Sequence, residues 1–168
     1  MLGAIVCTGN TATTPESARA VAVALRRNCD RLLAFSSREI DGIDHRLLVP
    51  DVSGLAAVAC VLGDAGPEHA VIAAGDLLHP SSELIRYMVQ IRGSFEAVIP
   101  ERSDGSLEPL LAIYHPAVTR RIEGLIAAGE RNLASLLDLV TVRLVDRDEC
   151  AKFGDPDRLL ERAVHSSM

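Results

Sequence analysis

Short apolar runs alternate with helix-start signals along nearly the whole chain, and this alternation limits the fold more than any other feature. Gly3–Thr8 is an apolar run closed by Gly9-Asn10, the pattern of a buried strand. Thr14 is a good N-cap and Pro15 suits a first helical position, so a helix is expected to follow through Asn28. The same alternation continues with strands at Arg31–Ser36 and Arg46–Pro50 and an Ala/Val-rich helix over Gly54–Leu62. A strand at Ala70–Ala74 precedes a helix that Pro80-Ser81-Ser82-Glu83 opens and that runs to Gln90. Strands that alternate with helices imply a mostly parallel sheet covered on both faces, a three-layer α/β architecture.

The second half departs from strict alternation once. Ala97–Pro100 and Glu108–Tyr114 are apolar runs on either side of Ser103-Asp104-Gly105-Ser106, a turn-type sequence. That spacing predicts one antiparallel hairpin added to the parallel sheet. Helices are expected over Pro116–Ala128, Asn132–Leu139 and Pro156–Val164, with a strand at Thr141–Val145. No repeat, low-complexity tract or linker divides the 168 residues, which are read as one domain, 1–168.

Composition narrows the function classes. Aromatics are 3% of the residues and there is no Trp, so the core must be built from Ala, Val, Leu and Ile. A net charge of −6 argues against a general nucleic-acid surface or an anionic-membrane surface, while leaving room for a local phosphate site. The four cysteines, at 7, 29, 60 and 150, are too scattered for a zinc site or a disulfide framework. The start of the chain lacks a basic segment, and no apolar stretch has the length of a membrane span. A cytoplasmic protein is the expectation.

The candidate chemistry sits after strands. Asp76 follows the Ala70–Ala74 run and Asp51 follows Arg46–Pro50. Parallel strands carry both to one edge of the sheet, where open α/β sheets bind ligands. A carboxylate there can hold a divalent metal, and the metal can hold phosphates. Thr8 and Gly9 could offer amide donors to phosphate at the first strand–helix turn. No P-loop, G-x-G-x-x-G or G-x-S-x-G is present. The five histidines do not fall at metal-ligand spacing; His79 stands out only because it follows Asp76 by three residues. Arg120-Arg121 reads as part of a solvated face.

Several segments, in order, resemble the molybdenum cofactor guanylyltransferases. Val49-Pro50-Asp51 followed by Gly54-Leu55-Ala56-Ala57 resembles that family's acidic residue and its Gly-Pro-Leu-Ala-Gly turn. Gly75-Asp76-Leu77-Leu78, with Glu83-Leu84 after it, resembles its Cys-Asp-x-Pro segment. Glu108–Tyr114 resembles the substrate-side strand, and Ala127-Ala128-Gly129-Glu130-Arg131 is the closest match. Asp155-Pro156-Asp157-Arg158-Leu159 resembles the terminal Thr-Pro-Glu-Asp-Leu helix start.

The resemblance implies a single Rossmann-like domain of the nucleotide-diphospho-sugar-transferase type. It implies transfer of GMP from GTP to molybdopterin with release of pyrophosphate. By the same resemblance Asp76 would be the catalytic residue and hold Mg²⁺, while Thr8, Gly9, Asp51 and Gly54 would contact the nucleotide. The partners implied are GTP, molybdopterin and a protein of molybdoenzyme maturation. Several positions depart from the pattern: Leu78 stands for the family's Pro after the metal Asp, Val58 for the last Gly of its Pro-Leu-Ala-Gly turn, Phe153-Gly154 for the Asn before the terminal Thr-Pro, and Phe35-Ser36-Ser37 for the Asn after the second strand. The first loop departs most. The family's first loop is long, with a double Gly, an Arg, a Met-Gly pair and a Lys, whereas here Pro15 follows Gly9-Asn10 closely and no Lys precedes Lys152. Arg26, Arg27 or Arg38, or a partner's residue, would have to supply that charge. Two further readings share the fold: a catalytically impaired relative that binds a nucleotide or cofactor, or acts as an interaction module, and a sugar-phosphate nucleotidyltransferase.

Overall fold

A computed structural model describes residues 1–8, 12–50 and 52–163. Among them, seven strands form one sheet in the order β3-β2-β1-β4-β6-β5-β7. These are β1 (Leu2–Val6), β2 (Arg31–Ser36), β3 (His45–Leu47), β4 (Ala70–Ala74), β5 (Ala97–Pro100), β6 (Leu111–Tyr114) and β7 (Val142–Val145). Every pairing is parallel except those of β6, which is antiparallel to both β4 and β5. The expected hairpin is therefore present, with its second strand inserted between β4 and β5.

The helices are α1 (Pro15–Arg26), α2 (Gly54–Ala65), α3 (Ser82–Ile91), α4 (Thr119–Ala127), and the single turns α5 (Ala134–Leu137), α6 (Arg147–Cys150) and α7 (Pro156–Leu159). α1 lies on β1 and β2 and against α3; α2 lies on β1 and β4 and against α4. All five residues of β1 and of β4 are buried. Successive strand residues point to opposite faces, so the middle of the sheet is covered on both sides. The core is aliphatic, built from Leu, Ile, Val and Ala, with Phe35 and Tyr114 as its buried aromatic rings.

Several boundaries differ from the sequence expectation, each for a local reason. β6 begins at Leu111, not Glu108, because the Glu108 carboxylate accepts the Leu110 N–H at 3.1 Å and turns the chain there. The helix expected from Pro116 opens instead with a 3₁₀ turn, Pro116–Val118, capped by the His115 ring. α5 spans only Ala134–Leu137, starting two residues after the expected Asn132, whose Oδ1 accepts the Ala134 N–H at 3.0 Å. α6 was not anticipated, although Asp146 and Glu149 form a capping box. The terminal helix stops at Leu159, short of the expected Val164. Beyond it the chain extends and pairs with the turn after β4: Leu78 N–H donates to the Glu161 carbonyl at 3.0 Å and Ala163 N–H to the Asp76 carbonyl at 2.9 Å. That pairing satisfies backbone groups a further helical turn would otherwise have used.

Candidate functional site

The strand directions collect the chemistry at one rim. β1, β2, β3 and β4 are mutually parallel, so Val6, Ser36, Leu47 and Ala74 all end at the same edge. β6 runs the other way, so its entry segment Glu108–Leu110 arrives at that edge too, with Ala74 N–H bonded to the Leu110 carbonyl at 2.6 Å. The chain leaves β1 toward β2 and returns to pair β4 on its other side. The crevice between β1 and β4 is thus the switch point of the sheet, and Asp76 lies just beyond it.

Gly75 is what allows the turn after β4 to press against the start of the chain. A Cβ there would lie 2.6 Å from Cys7 Sγ and 2.8 Å from Thr13 Oγ1. Its amide donates to the Val6 carbonyl at 3.0 Å, and its carbonyl accepts from Ser17 Oγ at 2.7 Å. Asp76 follows and is 1% exposed. Its Oδ2 accepts the Ala12 N–H at 3.1 Å.

The rest of the Asp76 carboxylate is taken by Arg162. Nε donates to Oδ1 at 2.8 Å and Nη2 to Oδ2 at 3.2 Å, a forked pair. The antiparallel bridge between Leu77 and Arg162 delivers this side chain. On its far side, Nη1 stands 4.0 Å from Oε1 of Glu108. Glu108 is 2% exposed and is ion-paired with Arg102, which also donates to the Leu107 carbonyl at 3.1 Å. Arg102 itself is aimed by the turn at 102–106, where Gly105 adopts a φ of 85° that L side chains rarely take.

Two cavities open on this rim. The larger, of about 720 Å³, is lined by Ser53, Gly54, Arg102, Glu108, Arg131 and Arg162, among others. Its described walls carry three guanidinium groups against one carboxylate. The smaller, of about 560 Å³, lies between the ends of β1 and β2 and the start of α1, and its lining includes Arg19, Arg38, Glu39 and Asp41. Thr8 lines both. Asp76 stands behind the boundary, bonded on one side to Ala12, next to Thr13 of the smaller cavity, and on the other to Arg162 of the larger. Cys7 borders the smaller cavity, but burial pushes its thiol pKa up, against the lowering effect of a Thr13 hydrogen bond. That shift disfavours the reactive thiolate.

The residues anticipated from sequence fare unevenly. Asp76, Thr8 and Gly54 come together at the rim; Gly9 and Asp51 lie outside the described residues. Of the arginines expected to replace the missing Lys, Arg38 lines the smaller cavity, but Arg26 and Arg27 lie at the far end of α1, away from the rim. The arginines that line the larger cavity are Arg102, Arg131 and Arg162. Arg131 belongs to the Ala-Gly-Glu-Arg stretch; Arg102 and Arg162 carry no local signal. His79 faces Arg158 at 3.3 Å and Glu161 at 3.5 Å. Lys152 lies over the Tyr87 ring.

The described residues do not fit a magnesium site in this arrangement. Both oxygens of Asp76 already have donors, one of them a cation, and Glu108 is engaged by Arg102. Among the described residues no group of three or more His, Cys, Asp or Glu could hold a metal ion. A hard divalent cation seeks several oxygen ligands at once.

Comparison with known proteins agrees with the fold. A protein of Aquifex aeolicus superposes with a TM-score of 0.79 at 13% identity, over 96% of this chain and 92% of that one. The molybdopterin-guanine dinucleotide biosynthesis protein A of Archaeoglobus fulgidus does so with a TM-score of 0.68 at 18% identity, over 95% of each chain. The 2-C-methyl-D-erythritol 4-phosphate cytidylyltransferase of Thermus thermophilus gives 0.68 at 12% identity, over 99% of this chain and 93% of that one. No curated protein sequence matches the chain. Residues 12–147 match the MobA-like NTP transferase domain, a family whose class of chemistry is nucleotidyl transfer. That match covers well over half of the sequence, and the chain belongs to the MobA-like NTP transferase domain family.

Proposed function

We propose that the protein transfers GMP from GTP to molybdopterin, with the nucleoside in the smaller cavity and the acceptor in the larger. The observation that carries this reading is the meeting of the two cavities at Thr8, with Asp76 linked by hydrogen bonds toward each. A transfer between two bound phosphates needs that layout. An acceptor phosphate oxygen attacks the α-phosphorus, the bond to the bridging oxygen breaks, and pyrophosphate leaves. The protein's part is to place the groups in line and to offset their charge. Guanidinium groups suit phosphate through their planar, forked donors, and the larger cavity supplies three. The name of the archaeal neighbour supports guanine and molybdopterin as the first substrates to try. The cytidylyltransferase neighbour makes CTP the natural comparison.

The test is pyrophosphate release from GTP, CTP and ATP, each with molybdopterin, with and without magnesium. GTP-dependent release that requires molybdopterin is the expected result. Absence of release with all three nucleotides overturns the transferase reading. One observation favours a second reading, a binding module without turnover: Arg162 closes the carboxylate on which the family resemblance puts the metal. Saturable GTP binding with no product would select it.

A further inference from the structure

The larger cavity combines a basic lining with a buried carboxylate that is already neutralised. Its described walls hold Arg102, Arg131 and Arg162 against Glu108 alone, within a chain of net charge −6. Arg162 has five N–H donors in a fixed fork. Nε and one face of Nη2 point at Asp76, while Nη1 is turned toward Glu108 at 4.0 Å, beyond hydrogen-bond reach. The side chain is 24% exposed and lines the cavity. One edge of this guanidinium is therefore committed to Asp76 and the other is available to a ligand. The position that carries it lies past residue 147, where the family match ends.

We propose that the larger cavity is a metal-independent site for a phosphate or diphosphate group, in which Arg162 stands where a divalent cation would. Arg162 neutralises Asp76 from one edge and donates to the phosphate from the other, Arg102 stays paired with Glu108 in the wall, and Arg131 adds a further guanidinium to the lining. A divalent cation would have to displace a forked ion pair from a carboxylate shut off from water. Guanidinium–phosphate bonds are charge-assisted and need no metal bridge. The ligand is a phosphorylated group, either free diphosphate or the phosphate of a larger acceptor. The inference deepens the transferase reading but rests on the cavity and not on turnover.

Calorimetry with inorganic pyrophosphate, in EDTA and then in magnesium, tests it on the full chain. Binding in EDTA should be at least as tight as in magnesium, which only competes for the ligand. Arg131→Ala, at an exposed position, should weaken it roughly tenfold in both buffers, the loss of one charged hydrogen bond. Asp76→Asn should leave affinity unchanged or raise it, because Arg162 is released toward the ligand; a metal-holding Asp76 would make the same change weaken binding. Manganese followed by electron paramagnetic resonance should remain free in the presence of the protein alone. Pyrophosphate binding that appears only with magnesium, absence of binding in both buffers, or manganese bound by the protein alone would each overturn the proposal. Titrating GTP beside pyrophosphate separates a nucleotide-borne phosphate from the free anion. Pyrophosphate bound in EDTA without any nucleotidyl transfer would keep this inference and remove the transferase reading. Transfer that strictly requires magnesium would do the reverse.

Discussion

Replacing Arg162 with alanine removes both cationic donors from Asp76. The carboxylate is 1% exposed, so the change leaves a charge that water reaches poorly. Breaking a buried ion pair in this way costs roughly 3–5 kcal/mol. Two features lower the figure here. Ala12 N–H stays on Oδ2 at 3.1 Å, and Arg162 is about a quarter exposed, so some water can follow into its place. We expect a loss of ~2–4 kcal/mol, which for a chain of this size lowers Tm by roughly 4–16 °C. Asp76→Asn should cost less, since Arg162 is left with solvent and the cavity. The double variant Asp76→Asn/Arg162→Ala should be more stable than Arg162→Ala by at least ~1 kcal/mol, because no buried charge remains. Urea unfolding followed by circular dichroism, with m-values compared across the cycle, gives each number. A loss under ~1 kcal/mol for Arg162→Ala, the range of an exposed pair, would refute the reasoning. Strictly additive single changes would refute it as well.

Two further outcomes follow from the same geometry. Gly75→Ala places a methyl 2.6 Å from Cys7 Sγ and 2.8 Å from Thr13 Oγ1, so a loss of ~1–3 kcal/mol is expected in thermal melts, with GTP affinity falling as the start of α1 is pushed away; Cys7→Ala should recover part of the stability. Beside the edge strand β7, Arg143, helped by the Tyr87 hydroxyl and the Asp146 amide, holds the Glu149 carboxyl down at about 2. A folded-state value below the ordinary 4.5 means stability that is present above pH ~4.5 and is lost as pH falls toward 2. Glu149→Gln should flatten acid unfolding across that window by roughly 1–2 kcal/mol after allowance for partial exposure, and an unchanged acid profile would sink the assignment.

Strand and helix order was legible because its signals are local. Arg31–Ser36 and Ala70–Ala74 carry their own apolar runs, and Thr14-Pro15 and Ser53-Gly54 carry their own caps. The rim position of Asp76 followed from the same reading, since parallel strands put their carboxyl ends together. Segments with few buried residues were read less well. α7 is a single turn because the pairing of Glu161–Ala163 with Asp76–Leu78 ends it. Periodicity does not report such competition.

By itself, the sequence determined an α/β chain with two acidic residues, Asp51 and Asp76, after strands at the ligand edge of its sheet, a shortened first loop, and a resemblance to nucleotidyltransferases. Only the tertiary structure decided what surrounds Asp76. Arg162 meets Asp76 across 86 positions of sequence, and Arg102 reaches Glu108 by way of a turn. A side chain's charge is written in its own residue, but its partner is set by which strands lie side by side. The insertion of β6 between β4 and β5 and the pairing of the terminal segment with the Asp76 turn are long-range backbone choices, and they turn a lone carboxylate into a neutralised one beside a basic cavity.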